Sequence, residues 1–167
     1  MKRYSITKYS RNKSIREEWT SISDIGKIYN GCILDAKEYK KIEDSYVRAV
    51  LEIASYMGIE YFRIKNIFRW KELRKDINEN VAFKELYPES MLKTYEEITN
   101  EKNVNKEELC DLVRLELRED IGGMLYVPYR LKIFIGDDYM MGVHTSIPLE
   151  NIFTIISDLG LNIYQFI

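Results

Sequence analysis

The sequence has few of the residues from which metal and redox sites are built. It contains two cysteines, Cys32 and Cys110, and one histidine, His144. The cysteines lie far apart and neither belongs to a CxxC pair, so neither a redox motif nor a disulfide can be inferred from them. One histidine with two separate cysteines offers no metal-ligand spacing. We therefore expect reduced thiols, no bound metal and no cofactor.

The chain also lacks the segments that direct a protein into or across a membrane. No apolar run approaches the roughly 20 residues that span a bilayer, and the opening MKRYSITKYS has no apolar signal-peptide core. No internal repeat, low-complexity run or flexible linker divides the sequence. These absences predict a cytoplasmic protein with no membrane partner, formed as a single domain over residues 1–167.

Neither sign of charge is in excess. Lys and Arg number 25 against 27 Asp and Glu, which gives a net charge of −2. Since nucleic-acid binding depends on clustered positive charge, this balance predicts a protein or a small ligand as partner, and no DNA or RNA. The apolar share of 46% and the charged share of 31% are typical of a globular protein with one core.

The stretch EWTSISDIGK predicts a capped helix. Ser21 is placed to act as the N-cap and Asp24 to lie in the first turn, where a negative charge suits the helix dipole. Trp19 flanks the cap and is expected to pack against that turn. We predict that this helix runs to about Tyr29 and is ended by Asn30-Gly31, two residues that tolerate positive φ.

The pattern of apolar residues and capping signals predicts the other elements. In chain order these are a strand over 3–9, a helix from the N-cap Asp35 to Gly58, a strand over 59–68, two short helices between 70 and 103, a helix from the N-cap Asn105 to Gly122-Gly123, a strand over 129–136, a strand over 139–146, a helix over 148–160 and a strand from 162 onward. A short turn at Asp137-Asp138 makes its two flanking strands antiparallel. The prediction is an α+β fold with a mainly antiparallel sheet of four or five strands, covered by helices on one face.

Catalytic motifs are missing as well. Gly26-Lys27 suggests a phosphate loop, but GxxxxGK[ST] is absent and Gly26 falls inside the predicted helix. Ser21 and Ser23 lie in no GxSxG or SxxK arrangement, and capping accounts for them. His144 as a general base needs a nucleophile and an orienting carboxylate, which one sequence cannot place, so a structural or surface role is favoured. We therefore predict a non-enzymatic protein; the alternative is a small enzyme or ligand-binding domain that uses His144 with nearby carboxylates.

Tyrosine is the one amino acid in clear excess, at 13 of 167 residues. Its ring gives a large contact area at small rotamer cost and is favoured in binding surfaces. Tyr39 and Tyr46, however, lie on the apolar stripe of a predicted helix, which favours core packing.

Acidic residues occur in adjacent pairs along the chain. Such pairs occur at Glu17-Glu18, Glu107-Glu108, Glu119-Asp120 and Asp137-Asp138, among others. Each pair alone is typical of a solvated face, and pairs that meet in space would attract a basic partner.

Several stretches together carry a resemblance to a known family. They are EWTSISDIGK, EYKKIEDSYVRAV, LVRLELREDI, DDYMMGVHTS and LGLNIYQF. Through them the chain resembles, over most of its length, a family of small cytosolic bacterial proteins. Some members of this family are similar to the immunity proteins encoded beside secreted or contact-delivered toxins. The resemblance supplies no catalytic motif.

An immunity protein acts by stoichiometric binding, so the resemblance implies that the chain occludes the active site of a cognate toxin, such as a nuclease. A nuclease presents positive charge to its substrate, and its inhibitor mimics phosphates with carboxylates around apolar anchors. The predicted partner-binding residues are Trp19, Asp24, Glu119, Asp120, Asp137, Asp138 and Tyr139. The oligomeric state is left open, and a homodimer formed through an exposed strand edge is a third interpretation.

Overall fold

The structure is a computed structural model that describes residues 1–10, 18–69, 72–79 and 81–166, with the backbone alone described at 81–83. The strands in these ranges are β1 Lys2–Thr7, β2 Ile28–Tyr29, β3 Cys32–Ile33, β4 Phe62–Arg69, β5 Asn103–Val104, β6 Ile121–Val127, β7 Leu131–Gly136, β8 Met140–Thr145 and β9 Asn162–Phe166. The α-helices are α1 Ala36–Tyr56, α2 Leu73–Glu79, α3 Glu89–Glu97, α4 Lys106–Leu117 and α5 Phe153–Asp158. Short 3₁₀ helices cover Ile22–Asp24, Val81–Leu86 and Glu150–Ile152.

Seven of the strands form one antiparallel sheet in the order β5-β4-β6-β7-β8-β1-β9, while β2 and β3 form a separate hairpin. The predicted α+β class is confirmed, but the sheet has more strands than the four or five expected. The N-caps Asp35 and Asn105 are confirmed, since their side chains accept from the backbone N–H groups of Glu38 and Glu108.

Strand β6 was not expected, because Gly122-Gly123 was interpreted as the end of a long helix. Helix α4 ends earlier, at Leu117. The two glycines lie inside β6, where the sheet leaves no room for side chains: a Cβ on Gly122 would overlap the ring of Phe68, and one on Gly123 would press on Ile64. The glycine pair therefore serves close packing within the sheet.

The EWTSISDIGK stretch is only partly the predicted helix. Ser21 and Asp24 form a capping box, as the sequence indicates, but the helix is the single 3₁₀ turn and does not reach Tyr29. Asn30 and Gly31 have φ of 51° and 79° and form the two-residue turn that joins β2 to β3. An Asn-Gly pair with positive φ at both positions is the preferred loop of a tight hairpin.

The large sheet has a buried face and an open face. On the buried face Tyr4, Val143, Ile133, Leu125 and Ile64 form one cross-strand row, and none is more than 1% exposed. Helices α1 and α4 pack together there, and α4 contacts β6 and β7. Because side chains alternate along a strand, the adjacent residues point to the other side. These residues define the open sheet face: Asn103, Arg63, Lys65, Tyr126, Lys132, Phe134, His144, Arg3 and Phe166.

Candidate functional site

The structure separates the seven predicted partner-binding residues into a buried group and an exposed group. The buried group is exposed by 8% or less and consists of Trp19, Asp24, Asp120 and Tyr139. The exposed group consists of Glu119, Asp137 and Asp138. Of the seven, only the three carboxylates of Glu119, Asp137 and Asp138 are exposed at the surface.

Trp19 is held in the core by aromatic and cationic neighbours. Its ring lies 5.3 Å from the ring of Tyr39 and 5.2 Å from that of Tyr139, the latter edge-on. The Lys8 ammonium lies 3.5 Å from the centroid of the indole and donates to the Trp19 carbonyl. Burial lowers the pKa of Lys8 to about 8, although the negative charges of Glu18 and Asp24 oppose this shift. Trp19 thus fixes the entry to the 3₁₀ turn and is not an exposed anchor.

A layer of buried tyrosines packs against Trp19. Tyr39 and Tyr46 are fully buried, which confirms their predicted role in the core. The Tyr46 hydroxyl donates to the Tyr139 carbonyl at 2.6 Å and accepts from the backbone N–H of Lys8 at 2.8 Å. Burial raises the pKa of Tyr39, and also that of Tyr139, so these rings stay neutral. This layer ties the end of β1 to the turn between β7 and β8.

Replacing Tyr46 by phenylalanine is expected to lower the free energy of unfolding by about 1–3 kcal/mol, because it leaves a buried carbonyl and a partly buried N–H without their partner. Urea denaturation measures the change. Tyr56→Phe is the matched control, since the Tyr56 hydroxyl accepts from the exposed amide of Asn151; it should change stability by about 0.5 kcal/mol or less. Equal losses in the two variants would contradict the role given to Tyr46.

The exposed carboxylates come from two separate connections and meet at one end of the sheet. Glu119 follows α4 in the left-handed conformation, and Asp137 and Asp138 lie in the turn between β7 and β8. The Glu119 carboxylate accepts from the backbone N–H of Asp138. Burial, and next the charges of Asp137 and Asp138, raise the pKa of Glu119. Like charges are therefore concentrated here.

Two further carboxylates extend this cluster. Asp138, Glu18 and Asp24 all act electrostatically on the Tyr9 hydroxyl, whose pKa is raised first by burial and then by these charges. We call the set Glu18, Asp24, Glu119, Asp137 and Asp138 the acidic end. Three of the acidic pairs named above thus contribute to it, through Glu18, through Glu119 and through Asp137-Asp138.

The other acidic residues of those pairs have different roles. Asp120 is fully buried and accepts from the Tyr87 hydroxyl at 2.7 Å. Glu108 closes the capping box of α4 and pairs with Lys102 at 2.7 Å. Glu17 lies outside the described residues.

Within the acidic end, Glu18 and Asp24 have cationic neighbours. Lys8 lies 4.0 Å from Glu18, and Lys27 lies 2.8 Å from Asp24. Burial alone would raise the pKa of Asp24, but hydrogen bonds from Lys27 and from the N–H groups of Thr20 and Ser21 lower it. In the described part of the chain, Glu119, Asp137 and Asp138 form no ion pair. These three carry the unbalanced charge.

The β2–β3 hairpin adds an exposed apolar pair. Ile28 and Ile33 face each other across the hairpin and are 68% and 66% exposed. Beside Ile33 runs a cleft of about 310 Å³, whose walls include Trp19 and Glu18. The sequence interpretation missed this pair because it placed Ile28 in a helix that Asn30-Gly31 ends; the signal was the Asn-Gly turn between two apolar dipeptides.

His144 lies on the open sheet face. Its cross-strand neighbours are Arg3 and Lys132, and its ring is edge-on to Phe134 with 5.4 Å between centroids. Burial, and next the charges of Arg3 and Lys132, lower its pKa. The described walls of the depression around His144 contain no carboxylate. The alternative of a site built from His144 and nearby acids finds no support in this arrangement.

Two further searches of the described residues were negative. No group of three or more His, Cys, Asp or Glu side chains is arranged to hold a metal ion there. No helix in the same ranges is long and apolar enough to cross a membrane.

Comparison of the chain with family models, with curated proteins and with solved structures gave no match in any of the three. The resemblance to immunity proteins rests on the sequence stretches quoted above and stays a prediction.

Proposed function

We propose that this protein is a non-catalytic, cytoplasmic interaction protein, and more specifically an immunity protein that binds a cognate toxin and occludes its active site. The observation that carries the proposal is the convergence of Glu119, Asp137 and Asp138 from two loops onto one exposed surface. A basic nuclease is the class of toxin that this surface fits, because clustered carboxylates imitate the phosphates of its substrate.

The electrostatics of the acidic end favour a positively charged partner. Mutual repulsion raises the free energy of the unbound surface, and this is the physical reason that Asp137 and Asp138 raise the pKa of Glu119. A partner that brings Lys or Arg against these carboxylates removes the repulsion. Charge of this kind mainly accelerates association and selects the partner.

The Ile28–Ile33 pair supports the same interpretation. Interfaces gain most of their free energy from a few apolar or aromatic anchors that lose water on binding, surrounded by a polar rim. Two isoleucines exposed on a two-stranded hairpin are costly to leave in water. The hairpin is joined to the acidic end through the cleft that Glu18 and Trp19 share with Ile33.

The product of the adjacent reading frame is the natural partner to test. Titration calorimetry with the full chain is expected to give a stoichiometric complex with a dissociation constant in the nanomolar range, about −12 kcal/mol. The toxin's activity should fall in parallel with complex formation. Absence of a complex at micromolar concentrations would overturn the proposed function.

Reversing the charge of the three exposed carboxylates tests the surface itself. The triple variant Glu119→Lys, Asp137→Lys and Asp138→Lys is expected to slow association at low salt about tenfold or more, and the effect should shrink as salt screens the charges. The matched control is Glu60→Lys, Glu97→Lys and Asp158→Lys, which changes three exposed acids elsewhere by the same charge. Stopped-flow association rates that fall equally in both variants would contradict a specific role for the acidic end.

A further inference from the structure

We propose that the open sheet face binds single-stranded nucleic acid. The seven strands of the large sheet contain no aspartate and no glutamate, although the chain has 27 acidic residues. The net charge of −2, which predicts no DNA or RNA partner, averages an acidic end with a cationic face. A polyanion responds to the local cationic surface and not to the average over the chain.

The cations of this face lie in register. One cross-strand row crosses the whole sheet, and its members in order are Asn103, Arg63, Tyr126, Lys132, His144, Arg3 and Phe166. Neighbouring strands lie about 4.8 Å apart, so the row is about 29 Å long. Such a length accommodates several nucleotides, which is the site size of single-strand-binding domains.

Aromatic rings on the same face are presented for stacking. A Cβ on Gly142 would overlap Cζ and both Cε atoms of Phe134 at once, so the ring lies with its flat side on the glycine. Phe134 is 39% exposed, so part of its ring is open to solvent. Phe166 is 59% exposed at the end of the row, and the Lys65 ammonium lies 4.8 Å from the ring centroid of Tyr126. Bases of any identity stack on such rings.

The rings and cations surround a shallow depression of about 500 Å³. Its walls include Phe134, Phe166, Arg3, His144 and Ser5. A base inserted here meets two rings, while its phosphate meets the Arg3 guanidinium. The lowered pKa of His144 agrees with positive potential at this place, since Arg3 and Lys132 are among its causes. One carboxylate reaches the row away from this depression: Glu101 accepts from the Tyr126 hydroxyl.

The chemistry favours a single strand over the other polyanions. In a duplex the bases are stacked on each other and offer no free face to Phe134. An acidic protein segment would use the cations but has no planar bases to stack on the exposed rings. Nucleic-acid binding at this face is independent of toxin binding at the acidic end, so either can be absent without the other.

Fluorescence anisotropy with the full chain tests the assignment. The probes are a fluorescein-labelled thymidine oligomer of about 12 nucleotides, the matching uridine oligomer, a duplex of the same length and labelled polyglutamate. At about 50 mM salt we expect micromolar binding to a single-stranded probe, weaker binding to the duplex and to polyglutamate, and a loss of affinity as salt rises to about 200 mM. No binding to either oligomer, or equal binding to polyglutamate, would overturn the proposal.

Two variants separate charge from stacking. Arg3→Gln with Lys132→Gln is expected to weaken oligomer binding about tenfold and to lower the salt slope by about 2, one for each lost phosphate contact. Phe134→Leu is expected to weaken binding about tenfold with an unchanged salt slope, because only stacking is lost.

The control for the charge variant is Lys37→Gln with Lys40→Gln, two exposed lysines on α1. It removes the same charge from another part of the molecule and should leave affinity within about twofold. Circular dichroism melts verify that each variant is folded. An equal loss in the α1 control, or no loss in Phe134→Leu, would overturn the assignment of the open sheet face.

Discussion

Replacing Arg118 by methionine is expected to lower the free energy of unfolding by about 3–5 kcal/mol. The guanidinium donates to both carboxylate oxygens of Glu43, each at 2.6 Å, and to the Leu86 carbonyl at 2.7 Å. The side chains of the pair are 2% and 0% exposed. Without the cation, the Glu43 carboxylate stays buried with no counter-charge. Urea denaturation of both proteins measures the difference.

The control is an arginine paired with carboxylates at the surface. Arg74 pairs with two carboxylates, those of Glu89 and Glu96, at 2.9 and 2.7 Å, but its side chain is 42% exposed. Water replaces those contacts, so Arg74→Met should cost less than about 1 kcal/mol. Replacing both members of the buried pair, as in Glu43→Leu with Arg118→Met, should recover much of the loss. A cost for Arg118→Met no larger than that for Arg74→Met would show that burial does not set the strength of this pair.

The second large effect is expected from Glu116 of α4. Its side chain is 3% exposed and lies beside Gly123. Neither carboxyl oxygen has a hydrogen-bond partner within the described residues. Burial raises the pKa of this carboxyl from the usual 4.5 to about 8, against a smaller opposing effect of the backbone N–H of Ile135.

A raised carboxyl pKa makes the fold less stable at higher pH. Below about pH 4.5 the group is protonated in both the folded and the unfolded chain. Between 4.5 and about 8 the unfolded chain loses the proton while the folded chain keeps it, so stability falls as pH rises through this window. The slope approaches about 1.4 kcal/mol per pH unit. Above pH 8 both states are ionised and the loss is constant.

Glu116→Gln removes this dependence, since an amide of the same shape does not ionise. The variant is expected to match the natural protein within about 1 kcal/mol at pH 4 and to exceed its stability by about 2–4 kcal/mol at pH 9. Denaturation midpoints at several pH values measure how the stability difference between the two proteins grows with pH. Glu97→Gln, at an exposed position of α3, serves as the control and should follow the natural curve. If the stability of Glu116→Gln changed with pH in the same way as that of the natural protein, ionisation of Glu116 would not be the cause of the pH dependence.

The parts of the fold that local chemistry determines were predictable. Asp35 and Asn105 each cap a helix because a side-chain oxygen satisfies a backbone N–H three residues later, and both caps were expected. The structural role of the glycines could not be decided from the local sequence. Gly122-Gly123 and Asn30-Gly31 both suit a helix end, and only the sheet and the hairpin reveal the other uses. The tertiary context decided these segments.

The candidate surfaces also combine features that the local sequence predicts with features that depend on tertiary structure. Asp137-Asp138 was expected in a turn, and it lies there. The burial of Asp120 depends on a hydrogen bond from Tyr87, which is distant in sequence, so no local pattern predicts it. The row on the open sheet face joins strands that are far apart in sequence, so its cations and rings become neighbours only through strand order. Average charge cannot reveal such a surface.

The position of β1 in the sheet has a consequence for biosynthesis. This strand is synthesised well before both of its neighbours, β8 and β9, and Lys2 pairs with Thr145. Until those strands are made, both edges of β1 stay unpaired while the helices can already form. Unpaired strand edges favour aggregation, so the interval between the synthesis of β1 and that of β8 and β9 is the vulnerable stage of folding on the ribosome.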